Sequence, residues 1–503
     1  MKLIKRPFIL KNTFWVVLFI FFGVELIVFS YYSYTPTANN DVYHQLLSSE
    51  KIIKSFDFSD VNPHPLGIPL FSSILIYNNI DPIHFLKWVS PLIITSIFLI
   101  LFLCLKNIGY SKGLLVSFLS CTHLFFLKIF NQFNAEIVCF VFMILSIFFT
   151  VRFLEKYNSN KNDKYLILLF ISSFMSILFR DSFFFIILGC YIFIFFKTYK
   201  IEQKKVKLVK IILPMFIFFS PIFYRLLHNP QSSNLKITLS LEMIHERIQL
   251  AIVTFFSLFK ILPEITLPKL IYFDSKKYFL IGISVLIILG TLYMLFSIKK
   301  RRTIDKNFIL IGQLFLCISI TYLSGISIAS GVLDYKWGNL YRVNGIFIFC
   351  FGIFFWILLL EFLRTNKNRL ATLIFIFFLS QIKLFYAVRY EYYNSKVRFL
   401  YANHSIIEKQ IFESIHEIKA YDTLNVFNGG RWQGRNLFSL LKYNAMIKKS
   451  LSFQLKSQKN IYVDKNLLIS NVDYDIYFKK NRKKFNIKSL MNGRLKLITP
   501  ILK

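Results

Sequence analysis

Acidic residues are scarce in this 503-residue chain: 26 Asp and Glu stand against 61 Lys and Arg, a formal net charge of +35. Cysteine is sparse as well, six residues with no CxxC spacing, which removes the usual zinc and dithiol signatures. No HExxH sequence occurs. The glycine-rich stretch Gly429-Gly430-Arg431-Trp432-Gln433-Gly434 has neither P-loop nor dinucleotide spacing, so it reads as a turn. No Ser/His/Asp or Cys/His arrangement stands out, and no internal repeat is visible. These absences exclude most soluble hydrolase, nucleotide-binding and metalloprotease readings.

Apolar side chain is what the chain has in excess, at 55% of residues with 60 Phe among them. It comes in runs of about 16 to 22 residues, the length needed to cross a hydrocarbon core of roughly 30 Å. Inside lipid each backbone group must be satisfied within its own segment, so the runs predict helices. The fold class is therefore an all-α polytopic membrane protein.

The basic excess is placed in short links between alternate runs. One link holds Lys197, Lys200, Lys204, Lys205, Lys207 and Lys210, and another holds Lys299, Lys300, Arg301 and Arg302. That pattern argues against a nucleic-acid partner and puts these links in the cytoplasm by the positive-inside rule. The first run, Thr13 to Phe29, follows Lys2, Lys5, Arg6 and Lys11, and no small-residue cleavage site follows it. It reads as an uncleaved anchor with the N-terminus inside.

Length and charge predict about eleven crossings, near 13–31, 89–106, 114–130, 136–154, 165–179, 183–197, 211–227, 278–298, 307–326, 344–363 and 371–388. The outer face then holds loop 32–88, turns near Asn134 and Arg180–Asp181, loop 228–277, loop 327–343 and everything beyond 389. Interfacial helices are expected in the outer loops, at Val42–Lys54 and Leu239–Phe259. Pro63, Pro65, Gly67 and Pro69 are expected to forbid regular helix between them. Residues 1–390 form the membrane domain. Residues 391–503 read as a small extracytoplasmic α/β appendage, with a helix over Ile406–Ile415 and strands at Leu424–Phe427 and Asn460–Val463. The cysteines all fall within or at the ends of apolar runs and read as small packing residues.

The chemistry-bearing residues gather at the outer rim. Asp41 precedes an apolar-periodic stretch, so it is both a candidate helix N-cap and a candidate general base; Asp57 and Asp60 are rivals for the second role. His44 and His64 flank the same loop and either line the site or join Asp41 at a metal, although no local spacing supports metal binding. Arg180–Asp181 is open to two readings, an ion pair capping a turn or a bidentate phosphate clamp. Arg225, Lys336 and Arg342 lie on the same expected side and read as interfacial anchors or as further phosphate ligands.

Asp41, Tyr43 and Pro65-Leu66-Gly67-Ile68-Pro69 resemble the first outer loop of the GT-C superfamily of membrane glycosyltransferases, among them aminoarabinose transferases of lipid A and protein mannosyltransferases. Asn134-Ala135-Glu136, Arg180-Asp181 and Tyr341-Arg342 resemble later outer-turn motifs of that superfamily. Two departures stand out: Val42 follows Asp41 where an acidic residue is common, and the Glu136 turn lacks its proline. The resemblance implies transfer of a sugar from a polyprenyl-phosphate donor to a glycolipid, polysaccharide or protein at the outer face of a bacterial inner membrane. Asp41 would be the catalytic base. Tyr43, His64, Glu136, Arg180, Asp181, Arg225, Lys336, Tyr341 and Arg342 would bind substrate. The lipid-linked sugar is then a substrate; no cofactor is implied, and a divalent metal stays open without a motif that supports it. A transporter or flippase for lipid-linked glycans, or a polysaccharide polymerase, is the alternative.

Overall fold

In the computed structural model the described residues are chiefly 13–23, 65–80, 82–122, 135–156, 162–199, 289–296, 306–332 and 340–363. Five short strands between 423 and 502 and scattered helical positions at 48–49, 52–53, 214, 217–218, 241–242, 244, 248, 368, 371–372 and 374–375 complete them. Contacts divide the chain into two units, one of residues 1–29, 89–131 and 135–388, the other of 30–88, 132–134 and 389–503.

The helices are α1 (Thr13–Gly23), α2 (Gly67–Tyr77), α3 (Pro82–Leu105), α4 (Tyr110–Cys121), α5 (Ala135–Glu155), α6 (Asn162–Phe179), α7 (Phe184–Tyr199), α8 (Lys306–Val332) and α9 (Leu340–Phe362). Five segments are long and apolar enough to cross a membrane: Val89–Ile108, Val138–Glu155, Asp181–Thr198, Lys306–Ala329 and Gly345–Phe362. Each lies on one of the expected crossings. α1, α2 and residues Lys164–Phe179 are shorter apolar helices.

Small residues bring these helices close, as lipid-embedded packing requires. α5 and α6 run antiparallel along a stripe of hydroxyls. Ser146 Oγ lies 2.9 Å from Ser172 Oγ and 2.8 Å from the Phe142 carbonyl, and its one proton serves one of them at a time. Further along, Cys139 Sγ donates to the Ser176 carbonyl at 3.0 Å. α7 packs on α8 through two glycines. A Cβ at Gly189 would stand 2.9 Å from Ile318 Cα, and one at Gly325 would enter the Phe185 ring. Cys104, Cys121, Cys139, Cys190 and Cys350 are buried free thiols and Cys317 is half-buried, which fits their reading as packing residues.

One expectation is corrected. Regular helix begins inside the proline-rich turn, since α2 starts at Gly67 and takes Pro69 into its first turn. The first four amides of a helix have no intrahelical acceptor, so a proline there removes no bond. Pro65, Gly67, Ile68 and Pro69 are all buried.

Positions 48, 49, 52 and 53 are helical, with Ser48, Ser49 and Ile52 buried. In the loop 228–277, Leu241, Glu242, Ile244 and Ile248 are helical, Leu241 being exposed. In the second unit, backbone pairing joins β1 (Thr423–Asn428), β2 (Asn460–Asp464), β3 (Tyr474–Phe478), β4 (Lys483–Asn486) and β5 (Ile501–Leu502) in the order β2-β1-β3-β4-β5. β1 and β2 are parallel and the other pairs antiparallel. The expected helix at Ile406–Ile415 lies outside the described residues.

Candidate functional site: the end of the bundle bearing Arg180

α6 ends at Phe179 because Arg180 takes an extended conformation (φ −157°, ψ 115°). Its N–H still donates to the Ser176 carbonyl at 3.2 Å, and its own carbonyl accepts from Phe183 N–H at 3.1 Å. A single 3-10 turn, Asp181–Phe183, then leads into α7. Arg180 and Asp181 are half-buried, while Ser182 and Phe183 are buried. The chain thus reverses within four residues, Arg180 to Phe183, and leaves an arginine and a carboxylate at this end.

Phe183 ties this turn to two other helix starts. Its ring meets Phe140 edge-on at 5.6 Å, and Phe140 meets Phe349 edge-on at 5.2 Å. Phe140 lies one turn into α5 and Phe349 about two turns into α9. At 1.5 Å rise per residue, Glu136 lies about 6 Å beyond Phe140 along its helix, and Arg342 about 10 Å beyond Phe349. The helix starts that carry Glu136, Arg180–Asp181 and Tyr341–Arg342 therefore share one end of the bundle. Of Glu136, Tyr341 and Arg342 the helical backbone alone is described.

The N-termini of α5, α7 and α9 lie at this end. A helix N-terminus carries roughly half a positive charge, and at α7 the Phe184 N–H is already bonded to the Asp181 carbonyl. Of the charged side chains described at this end, the Arg180 guanidinium and the Asp181 carboxylate stand side by side at the turn.

The opposite end is held by polar contacts that sequence reasoning missed. Lys112 Nζ stands 2.6 Å from Glu361 Oε2, and Glu361 is buried. Arg152 Nη1 pairs with Glu155 Oε2 at 2.8 Å, while Asn107 Nδ2 donates to Glu155 Oε1. Asn307 Nδ2 donates to the Asn107 carbonyl at 3.5 Å, and Lys197 Nζ to Gln313 Oε1 at 2.8 Å. Arg152 and Lys197 also sit over the Phe148 and Phe193 rings, at 5.0 and 5.4 Å. The one signal for Glu361 was a carboxylate within an apolar run.

Asp41, Tyr43, His64, Arg225 and Lys336 lie outside the described residues, as does His44. Among the described residues no group of His, Cys, Asp and Glu could hold a metal ion. Compared with known proteins, the sequence matches no family model and no curated protein.

Proposed function

We propose that this chain is a membrane glycosyltransferase that takes a sugar from a polyprenyl-phosphate donor and passes it to a glycolipid, polysaccharide or protein outside the cytoplasm. The observation that carries the reading is that the Arg180 turn and the helix starts of α5 and α9 share one end of the bundle, linked through the rings of Phe140, Phe183 and Phe349. Such an end stabilises a phosphate whose charge grows as a glycosidic bond breaks.

In this mechanism Asp41 accepts the proton of an acceptor hydroxyl. The acceptor oxygen then bonds to the anomeric carbon, the bond from that carbon to the phosphate oxygen breaks, and the polyprenyl phosphate leaves with the electron pair. Phosphate departs with little protonation, so a second acid is not needed. Arg180 and Arg342 hold the leaving phosphate, with Arg225 and Lys336 as further cations. Tyr43, His64, Glu136, Asp181 and Tyr341 line the sugar and acceptor sites.

The reading includes about eleven crossings, a cytoplasmic N-terminus, and residues 391–503 as an extracytoplasmic α/β domain on a bacterial inner membrane. The test is transfer by purified protein in lipid vesicles, supplied with a panel of polyprenyl-phosphate sugars and outer-envelope acceptors. Asp41→Asn is expected to lose transfer by 10²-fold or more, about the contribution of a general base, while still binding donor. Transfer at the wild-type rate by folded Asp41→Asn protein would end this mechanism.

A further inference from the structure

Helix α2 is 11 residues long with no charged side chain, about 16 Å from end to end. It is too short to cross a membrane, yet its C-terminal half shows apolar surface. Ile74 is 64% exposed, Tyr77 77% and Ile80 41%. Ile74 and Tyr77 are three residues apart, hence on one stripe of the helix, and Ile80 continues it. Its opposite face is buried through Ile68, Ser72 and Leu75.

The end of α2 is closed in a way that suits a poorly hydrated medium. Asn79 adopts φ 59°, the left-handed conformation that Asn tolerates. Ile80 N–H donates to the Leu75 carbonyl and Asn79 N–H to the Ile76 carbonyl, both at 2.9 Å. These are the paired bonds of a Schellman motif, with Ile80 and Leu75 in its hydrophobic positions. The Ile74 carbonyl accepts from Asn78 twice, from the backbone N–H at 3.3 Å and from Nδ2 at 2.7 Å. Three of the last four carbonyls of the helix are thus satisfied without water, which is the condition lipid sets on backbone.

Position along the chain supplies the partner. Phe71 of α2 contacts Phe85 near the start of α3, ring centroids 6.2 Å apart. The part of α3 able to cross a membrane begins at Val89, roughly 10 Å along the helix from Pro82. Lys87 and Trp88 just before it are residue types of the interfacial belt. The polar layer of a bilayer extends about 5 to 7 Å beyond its hydrocarbon core on each side. Through Phe71 and Phe85 α2 is tethered to the first turn of α3, with an apolar edge uncovered.

We infer that the Ile74–Tyr77–Ile80 edge of α2 is a lipid-binding surface, seated at the boundary of headgroups and acyl chains in the leaflet where α3 begins. Tyr77 suits that depth, since its ring is apolar and its hydroxyl reaches the wet side. Asn78 and Asn79, both exposed, face the headgroups and keep the helix from sinking to the bilayer centre. The inference does not depend on the transferase reading.

Spin labels at Ile74→Cys and Tyr77→Cys test it, in Cys317→Ser protein whose other five cysteines are buried. The labelled proteins are placed in vesicles of phosphatidylethanolamine and phosphatidylglycerol, and their power saturation is read with oxygen and with a water-soluble nickel chelate. Oxygen collisions are expected to exceed nickel collisions several-fold at both positions. Nickel exceeding oxygen would mean that the edge faces water. Protection from both reagents would mean that protein covers it. Either result overturns the inference. A third label at Ile80→Cys keeps the reading decidable if one variant melts below the parent.

Discussion

Glu361 is a carboxylate almost out of reach of water, and Lys112 makes its presence there tolerable. Moving an ion from water to the interior costs several kcal/mol, and a close partner returns part of it. Lys112→Met would take from buried Glu361 the cation 2.6 Å away. The expected loss is toward the lower end of the about 3–5 kcal/mol that breaking a buried pair costs, since the Lys112 side chain is 35% exposed. Glu361→Gln should cost less, because the freed lysine can turn to water. The double change Lys112→Met with Glu361→Leu should recover most of the stability. Unfolding of the purified protein in mixed micelles measures all three, and equal stability of Lys112→Met and wild type would show the pair to be uncoupled. This contact was not legible in the sequence, because its partners stand 249 residues apart and neither carries a local motif. Arg180 was legible, since an arginine and a carboxylate interrupting an apolar run mark a place where the chain reaches the rim.

At the scale of the helix, apolar run length was a sound guide because backbone satisfaction in lipid leaves few alternatives. It failed at Pro69, where proline was taken as a breaker without regard to its place in the first turn. Packing between helices was less legible, since it depends on which glycines meet a neighbour. Gly189 and Gly325 do meet one, and Gly352 has nothing within 4 Å of where a Cβ would stand. Gly189→Ala is expected to destabilise by about 1–3 kcal/mol, the usual range for overpacking, because the atom in its way is the backbone Cα of Ile318. Gly325→Ala should fall at the upper end of that range, because Phe185 Cγ stands 2.3 Å from the Cβ position and turning the ring about its own axis does not move it. Gly352→Ala should be neutral or stabilising by about 0.5–1 kcal/mol, from the helix preference of alanine. Thermal melts of the three variants rank them, and a Gly189→Ala protein as stable as Gly352→Ala would show that α7 and α8 can separate freely.

For the whole molecule, polar contacts at one end constrain how many times the chain crosses. Lys112 at the start of α4 and Glu361 at the end of α9 touch, so an even number of crossings separates them. An odd number would put the two groups on opposite faces, roughly 30 Å apart. The same holds between α7 and α8. Lys197 near the end of α7 bonds Gln313 of α8, and Asn307 at the start of α8 bonds Asn107. An even number of crossings therefore lies between 199 and 306, which the expected pair 211–227 and 278–298 satisfies. Charge says which side this end faces: the lysine-rich links at 197–210 and 299–302 open from it, and the positive-inside rule assigns them to the cytoplasm. On the proposed topology Arg180 and the start of α9 lie outside, where the proposed lipid-linked donor would present its phosphate. Reporter fusions check the assignment. Green fluorescent protein joined after Asn160, Gln203 or Thr303 is expected to fluoresce, and alkaline phosphatase joined after Tyr335 or Lys503 to be active. An active phosphatase at Gln203, or a fluorescent reporter at Tyr335, would invert the molecule in the membrane. The Arg180 end would then face the cytoplasm, away from any outer-leaflet acceptor, and transfer outside the cell would lose its phosphate site.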